Sequence, residues 1–283
     1  MTVAVEQSML LGIPLFFLSI VAGGVGAISG MGGGVVLIPV LTLWGVEIKQ
    51  AIALSALSVV AISTSAGSGY VQRHMPHLKA DAWLEVFAVF GSILGASMAV
   101  AANRRLLYLL CGVLLASSWL SLWRQRPSRW GDASQPAIAK PSLLKGSYYD
   151  EAEHQTILYR GQHPWIGGFM MLGIGFLSGL VGFGSGALSV WMQDYVMRLP
   201  HKVSVTTSNL VIGVMALAGV SVYLEAGLIH PQPAMAVVLG IPIGTLIGSR
   251  FLIGLTNRLA RLVFLAVLMV LGIEMLLHSL QPR

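Results

Sequence analysis

The chain has 283 residues, of which 55% are hydrophobic and 10% charged, and its mean hydropathy is +0.79. Soluble domains carry about 25% charged residues, so this composition excludes a soluble globular protein and predicts a polytopic membrane protein. The formal net charge of +6 is then expected in cytoplasmic loops rather than in a nucleic-acid-binding surface. The single cysteine, Cys111, excludes an intramolecular disulfide.

Apolar segments follow one another in two groups of five around one polar stretch. The first group covers residues 9–28, 35–46, 51–71, 82–102 and 106–123, and the second covers 166–181, 187–197, 203–224, 232–253 and 259–278. We divide the chain accordingly into a first membrane repeat (1–123), a cytoplasmic loop (124–165) and a second membrane repeat (166–283). The predicted fold class is an all-α polytopic membrane protein.

A glycine-rich run interrupts the apolar sequence near the start of each group. The first reads Ser29-Gly30-Met31-Gly32-Gly33-Gly34, and the second reads Val181-Gly182-Phe183-Gly184-Ser185-Gly186. Glycine runs break helices, so each repeat is expected to begin with a broken helix. Residues 35–46 would reach only about 18 Å as a helix, which leaves open a re-entrant hairpin or two full crossings.

The two groups also correspond residue by residue, which indicates a duplication. Three glycines of the first run match three of the second at one offset, and Ser55 matches Thr207 at the same offset. With a slip of one residue, Gly91 and Gly95 match Gly244 and Gly248. The slip implies a single inserted residue.

The positive-inside rule predicts that the two repeats are inverted. If each broken unit enters the membrane and returns, 13 of the 17 Lys and Arg residues lie on the cytoplasmic side. If each broken unit crosses only once, the division is nine against eight, which is no bias. The first arrangement gives the two repeats opposite orientations, as in many secondary transporters.

Each glycine break precedes the N-terminus of a helix, where free backbone N–H groups favour a small anion. We expect the two breaks to meet near the middle of the membrane. The predicted substrate-binding residues are Ser29, Gly30, Gly32, Gly33, Gly34, Ser55, Gly182, Gly184, Ser185, Gly186, Thr206, Thr207, Ser208 and Asn209. The alternative for such glycines and hydroxyls is close packing and hydrogen bonding between helices.

Several kinds of chemistry have no support in the sequence. There is no P-loop signature and no nucleophile–base pair. His74 and His77 flank Pro76 without a further metal ligand nearby in sequence. We therefore expect no enzyme, no cofactor, no metal and no nucleic-acid partner.

The ordered set of motifs resembles the TauE/SafE family of membrane permeases, also called the sulfite exporter or TSUP family. The first repeat carries it as Gly30-x-Gly32-Gly33-Gly34-x4-Pro39, Ala51-x3-Ser55, Leu78-x-Ala80-x-Ala82-Trp83 and Gly91-x3-Gly95. The second carries it as Gly182-x-Gly184-x-Gly186, Thr207-Ser208 and Gly240-x3-Gly244-x3-Gly248-Ser249-Arg250. The resemblance implies transport of sulfur oxyanions, small organosulfur anions or related carboxylates. Phe183 and Ser185 depart from the first run, so the second half-site is expected to be tighter or more aromatic.

The predicted function is secondary transport of a small anion, such as sulfite or a sulfonate, across the cytoplasmic membrane. The partners expected are that anion and the lipid bilayer. The alternative is a passive anion channel or an accessory subunit that transports nothing. The sequence leaves open which anion moves, in which direction, which ion drives it and in what oligomeric state.

Overall fold

The computed structural model of the protein describes residues 12–29, 33–72, 78–124, 145–150, 155–183 and 185–252, and every structural statement below concerns these residues. The first repeat contains five helices. They are α1 (Gly12–Ser29), α2 (Gly34–Leu43), α3 (Ile48–Gln72), α4 (Leu78–Ala101) and α5 (Arg104–Arg124). The boundaries follow the five predicted apolar segments closely, because each helix ends where glycine or polar residues interrupt the apolar sequence.

The second repeat contains four described helices, and they reproduce the order and the lengths of the first four. They are α6 (Pro164–Val181), α7 (Gly186–Tyr195), α8 (His201–Glu225) and α9 (Pro231–Leu252). The short second helix has ten residues in both repeats, and the long third helix has 25 in both. The predicted segment 259–278 lies outside the described residues.

Five of the described helices are long and apolar enough to cross a membrane. Their apolar spans are Ile48–Ser65, Asp81–Ala101, Pro164–Val181, Val203–Glu225 and Pro231–Gly248. The helices α2 and α7 are too short, because ten residues reach only about 15 Å and the hydrocarbon layer is about 30 Å thick. The predicted all-α polytopic class is confirmed.

The polar stretch between the repeats contains a short antiparallel hairpin, which the sequence analysis did not predict. Strand β1 (Lys145–Asp150) pairs with β2 (Gln155–Arg160). Lys145 lies opposite Arg160 at the open end, and Asp150 lies opposite Gln155 beside the turn. The hairpin ends only three residues before α6 begins.

The helices α4 and α6 pack through their backbones. A β-carbon on Gly91 would overlap the carbonyl oxygen of Leu172, and one on Gly95 would overlap that of Phe176. Glycine therefore permits an approach that no other residue allows. Residue numbers rise together along the contact, so α4 and α6 run in the same direction.

The helices α1 and α9 form the equivalent pair. A β-carbon on Gly244 would overlap the carbonyl oxygen of Ile20, and one on Gly248 would lie 2.6 Å from the Cα of Gly24. These two pairs, α4 with α6 and α1 with α9, are the most extensive helix contacts. In each pair, the fourth helix of one repeat packs against the first helix of the other. The fourth helix of each repeat also contacts the third helix of the other: α4 contacts α8, and α9 contacts α3.

We predict that Gly91→Ala and Gly244→Ala each lower the thermal unfolding temperature of the detergent-purified protein or abolish its folded yield. The reason is that the added methyl group would overlap a backbone carbonyl oxygen, which cannot move independently of its helix. Gly173→Ala is the matched control, because a β-carbon there meets no atom within 4 Å. The control should be neutral or stabilising by up to about 1 kcal/mol. Wild-type stability of Gly244→Ala would contradict the close backbone contact.

Candidate functional site

The break between α6 and α7 is built around Gly182. Its φ is 76°, in the left-handed region, and its N–H donates to the carbonyl of Ser178 at 2.8 Å, which closes the end of α6. A β-carbon at Gly182 would also overlap the carbonyl oxygen of Ile52 on α3. Conformation and space therefore both require glycine. Phe183 follows, and α7 begins at Gly186.

The break between α1 and α2 ends at Gly33, which is the N-cap residue of α2. The carbonyl of Gly33 accepts the N–H groups of Val36 and Leu37, both at 3.1 Å. Among the described residues, the N-cap residues Gly33 and Ser185 make no side-chain capping hydrogen bond to α2 or α7. The first N–H groups of a helix have no acceptor within the helix, so both short helices present donors at the breaks.

The two breaks are in contact. A β-carbon on Gly34 would overlap the hydroxyl of Ser55 and would lie 2.9 Å from the β-carbon of Phe183. Ser55, which is 0% exposed, donates its hydroxyl to the carbonyl of Gly182 at 2.8 Å. A side chain of the first repeat thus binds the backbone of the second repeat at the interruption.

The second repeat contains a contact between serine and glycine that is equivalent to the one in the first repeat. The buried hydroxyl of Ser208 donates to the carbonyl of Gly186 at 3.4 Å, as Ser55 contacts Gly34. Ser208, rather than Thr207, therefore corresponds to Ser55. The inserted residue lies in the connection between the second and third helices, which has four residues in the first repeat (44–47) and five in the second (196–200).

Of the remaining predicted residues, some lie close to the breaks and others make hydrogen bonds away from them. Ser185 donates its hydroxyl to the carbonyl of Ile174 at 3.3 Å instead of capping α7. Thr206 donates to Val203 within α8 at 3.0 Å, and Thr207 is fully buried. The backbone carbonyl of Asn209 accepts the hydroxyl of Ser63, which joins α3 to α8.

Four predicted residues cannot be described at the level of the site. Gly30, Gly32 and Gly184 lie outside the described residues, and Ser29 is described only as the last residue of α1. The prediction that these residues bind substrate stays a prediction.

Two buried residues of the site were not singled out in the sequence. Ile52 lies under Gly182, and Ser58 donates to the carbonyl of Ser55 at 2.6 Å. Both lie one turn from Ser55 along α3, so helical spacing around that serine would have found them.

The described geometry offers groups of a kind that can bind a small anion. The residues that meet at the breaks are neutral, and they offer backbone N–H groups and hydroxyls next to helix N-termini. Among the described residues there is no group of three His, Cys, Asp or Glu side chains that could hold a metal ion.

The class of protein follows from these features. Five described helices are long and apolar enough to cross a membrane, and two short helices follow breaks of the kind that membrane proteins tolerate only where protein or a wet cavity surrounds the irregular backbone. The chain is a multi-pass membrane protein of the transporter or permease class.

Comparison with known proteins identifies the family. The family model described as "Sulfite exporter TauE/SafE" matches residues 15–275, so the chain belongs to the TauE/SafE family. The chain is also 24% identical, over 275 residues, to the "Probable membrane transporter protein YunE" of Bacillus subtilis (strain 168). That match covers 94% of this chain and 97% of the relative. No solved structure matches the chain.

Proposed function

We propose that the protein is a secondary transporter that moves a small oxyanion, with sulfite or a small sulfonate as the substrate class, across the cell membrane. The observation that carries the proposal is the contact of the two broken helices, in which Gly34 meets Phe183 and Ser55 binds the Gly182 carbonyl. The N-termini of α2 and α7 supply the donors. The family description supports the choice of a sulfur oxyanion.

Backbone donors suit such a substrate for a physical reason. A buried arginine or lysine would cost several kcal/mol to desolvate and would hold the anion too tightly for rapid release. Partial charges at two helix N-termini, each about half an elementary charge, neutralise one anion without that cost. Ser29, Ser185 and the glycines between the helices complete the proposed site.

We further propose that the repeats are inverted relative to each other, and helix directions support this. Helix α8 runs parallel to α6, because Gly167 near the start of α6 contacts Met197, and the hydroxyl of Tyr223 near the end of α8 binds the carbonyl of Gly179. Helix α3 runs the other way: Ile52 lies beside Gly182, whereas Ser63 lies beside Asn209. The equivalent helices α3 and α8 are thus antiparallel.

The connections after the two short helices support the same proposal. After α2, Glu47 pairs with Arg104 at 3.2 Å, at the end of the molecule where α4 finishes. After α7, the carbonyl of Met197 accepts the N–H of Gln162 at 2.8 Å, at the end where α6 begins. Equivalent connections therefore lie at opposite ends, which is the relation that the positive-inside rule predicts.

The proposed mechanism follows from this arrangement. The anion rests between two half-helices of opposite direction, and movement of one repeat against the other opens the site first to one side and then to the other. Residues 1–123 and 166–283 are the two moving repeats, and residues 124–165 form a connection on the cytoplasmic side.

The transport proposal is tested with purified protein in liposomes. We expect saturable uptake of radiolabelled sulfite or a small sulfonate, and counterflow when unlabelled anion is trapped inside. Gly34→Ala should slow transport by about tenfold or more, equivalent to about 1.4 kcal/mol, because its β-carbon overlaps Ser55. Gly173→Ala is the control for helix substitution and should transport at the wild-type rate.

Three results would contradict the transport proposal. A wild-type rate in Gly34→Ala, with the variant folded, would remove the site from the breaks. Flux without saturation or counterflow would indicate a channel. The absence of flux for every small sulfur anion would indicate an accessory protein.

The inverted arrangement predicts opposite accessibility of two engineered cysteines. In a Cys111→Ala background, Trp44→Cys should react with a membrane-impermeant maleimide from outside intact cells. Arg198→Cys should react only after the membrane is opened. Each position lies in the connection that follows a ten-residue helix. Labelling of both cysteines from the same side would mean that the repeats are not inverted.

A further inference from the structure

We propose that Asp81, Gln193 and Ser204 form a binding site for a small monovalent cation, Na⁺, at the end of the molecule where α4, α6 and α8 begin. This inference rests on the proposed transport function, for which the cation would be the coupling ion. It concerns residues that the anion site does not include.

The first observation is that buried side-chain oxygen atoms of Asp81, Gln193 and Ser204 lack a hydrogen-bond partner within the described part of the chain. They are Oδ1 of Asp81, Oε1 of Gln193 and Oγ of Ser204. The side chains of Gln193 and Ser204 are 0% exposed and that of Asp81 is 6% exposed. A buried, unpaired acceptor costs about 1–3 kcal/mol, and more if it is charged, so three together call for a ligand.

Helix register brings Asp81 level with Ser204. Ser92 on α4 donates to the carbonyl of Met215 on α8 at 2.6 Å. The two helices run in the same direction, because each runs parallel to α6. Eleven residues earlier on each helix stand Asp81 and Ser204. Asp81 shares the buried face of Leu84, Ala88 and Ser92 on α4, and Ser204 shares that of Ser208, Val211 and Met215 on α8.

Gln193 lies at the same level on α7. That helix runs back along α8 from the contact of Gly186 with Ser208, so its last turn returns to the start of α8. The amide nitrogen of Gln193 donates to Ser189 at 3.2 Å, which fixes the side chain and leaves the amide oxygen as the remaining acceptor. One buried hydrophobic cluster includes a residue close in sequence to each of the three: Leu84, Met192 and Val203.

The equivalent positions of the other repeat show that packing does not require polar residues here. In the first repeat, Leu41 occupies the position equivalent to Gln193, and Ala51 the position equivalent to Ser204. In the second repeat, Ala234 occupies the position equivalent to Asp81. Leu41 and Ala51 are buried in the hydrophobic core. Among the described residues, the polar set therefore occurs in one of the two equivalent places, and symmetry of the fold does not explain it.

The chemistry of the set selects a monovalent cation. Carboxylate, amide and hydroxyl oxygens are hard ligands. One carboxylate neutralises one positive charge, whereas a divalent ion would keep a net charge in a medium that penalises it. Glu85, one turn further along α4, is half-buried, and α6 carries no ionisable side chain. The C-terminal end of α7, where Gln193 lies, adds a partial negative charge.

The position also suggests how the cation would couple to the anion. The proposed anion lies at the first turn of α7 and the proposed cation at Gln193 in its last turn, and seven residues of helix separate them by about 10 Å. One rigid half-helix would therefore respond to both ligands. The apolar spans of α4 and α8 begin at Asp81 and Val203, so the proposed cation site lies at the end of the spans, close to the membrane surface.

The test measures thermal unfolding of the full-length, detergent-purified protein in NaCl, KCl and N-methylglucamine chloride at equal ionic strength and constant pH, with no anionic substrate present. Na⁺ should raise the unfolding temperature saturably, because a ligand that binds only the folded state stabilises it. Gln193→Met and Ser204→Ala should raise the half-saturating Na⁺ concentration by about tenfold, which corresponds to about 1.4 kcal/mol. Asp81→Asn should abolish the Na⁺ effect and should unfold no earlier than wild type without Na⁺, since it replaces a buried carboxylate whose Oδ1 has no hydrogen-bond partner among the described residues.

Matched controls lie at the opposite end of α8. Ser221→Ala and Glu225→Gln change exposed residues of the same types and should keep the wild-type Na⁺ response. If Asp81→Asn does not fold, binding of radioactive Na⁺ to wild type, Gln193→Met and Ser204→Ala decides the question.

Two outcomes would overturn the cation proposal. One is equal stability in the three salts together with no bound Na⁺. The other appears when the series is repeated at several pH values: a wild-type stability that depends on pH but not on Na⁺ would identify a proton as the occupant. Since the assay contains no anionic substrate, neither outcome bears on whether the protein transports one.

Discussion

The hydrogen bond from Ser55 to the Gly182 carbonyl joins the two repeats at the depth where both of their first helices are interrupted. Broken helices inside a membrane leave backbone groups that lipid cannot satisfy. Here a serine of one repeat satisfies a carbonyl of the other, and the left-handed Gly182 turns its N–H back to Ser178. The Gly182 carbonyl is thereby satisfied, and we propose that the first N–H groups of α2 and α7 donate to an anion.

Much of the fold could be predicted from the sequence, because hydropathy and glycine placement are local signals. The helices α1 to α9 follow predicted apolar segments, and both breaks fall on the predicted glycine runs. The contacts between helices could not be predicted in the same way. Gly91 contacts Leu172, and Gly244 contacts Ile20. These contacts depend on which distant helices become neighbours, and the spacing of residues within one helix does not give that information.

The candidate site was predicted in part. The glycines and Ser55 were found because they recur, but a constant offset matched Ser55 with Thr207, whereas the contact with Gly186 is made by Ser208. One inserted residue in a connection turns a helix by about 100°, so sequence alignment alone identifies the wrong neighbour. Asp81 and Gln193 were not recognised because their counterparts Ala234 and Leu41 are apolar, and recurrence cannot reveal a feature that occurs once.

The central claim is that an anion binds to backbone N–H groups between the starts of α2 and α7. It is tested most directly by locating the anion in a crystal of the protein that contains selenite, or the selenium analogue of whichever sulfur anion saturates transport, through anomalous scattering. The account predicts a selenium peak between Gly34 and Ser185, with anion oxygens about 3 Å from backbone nitrogens. A peak elsewhere, under conditions where selenite competes with the transported anion, would contradict it.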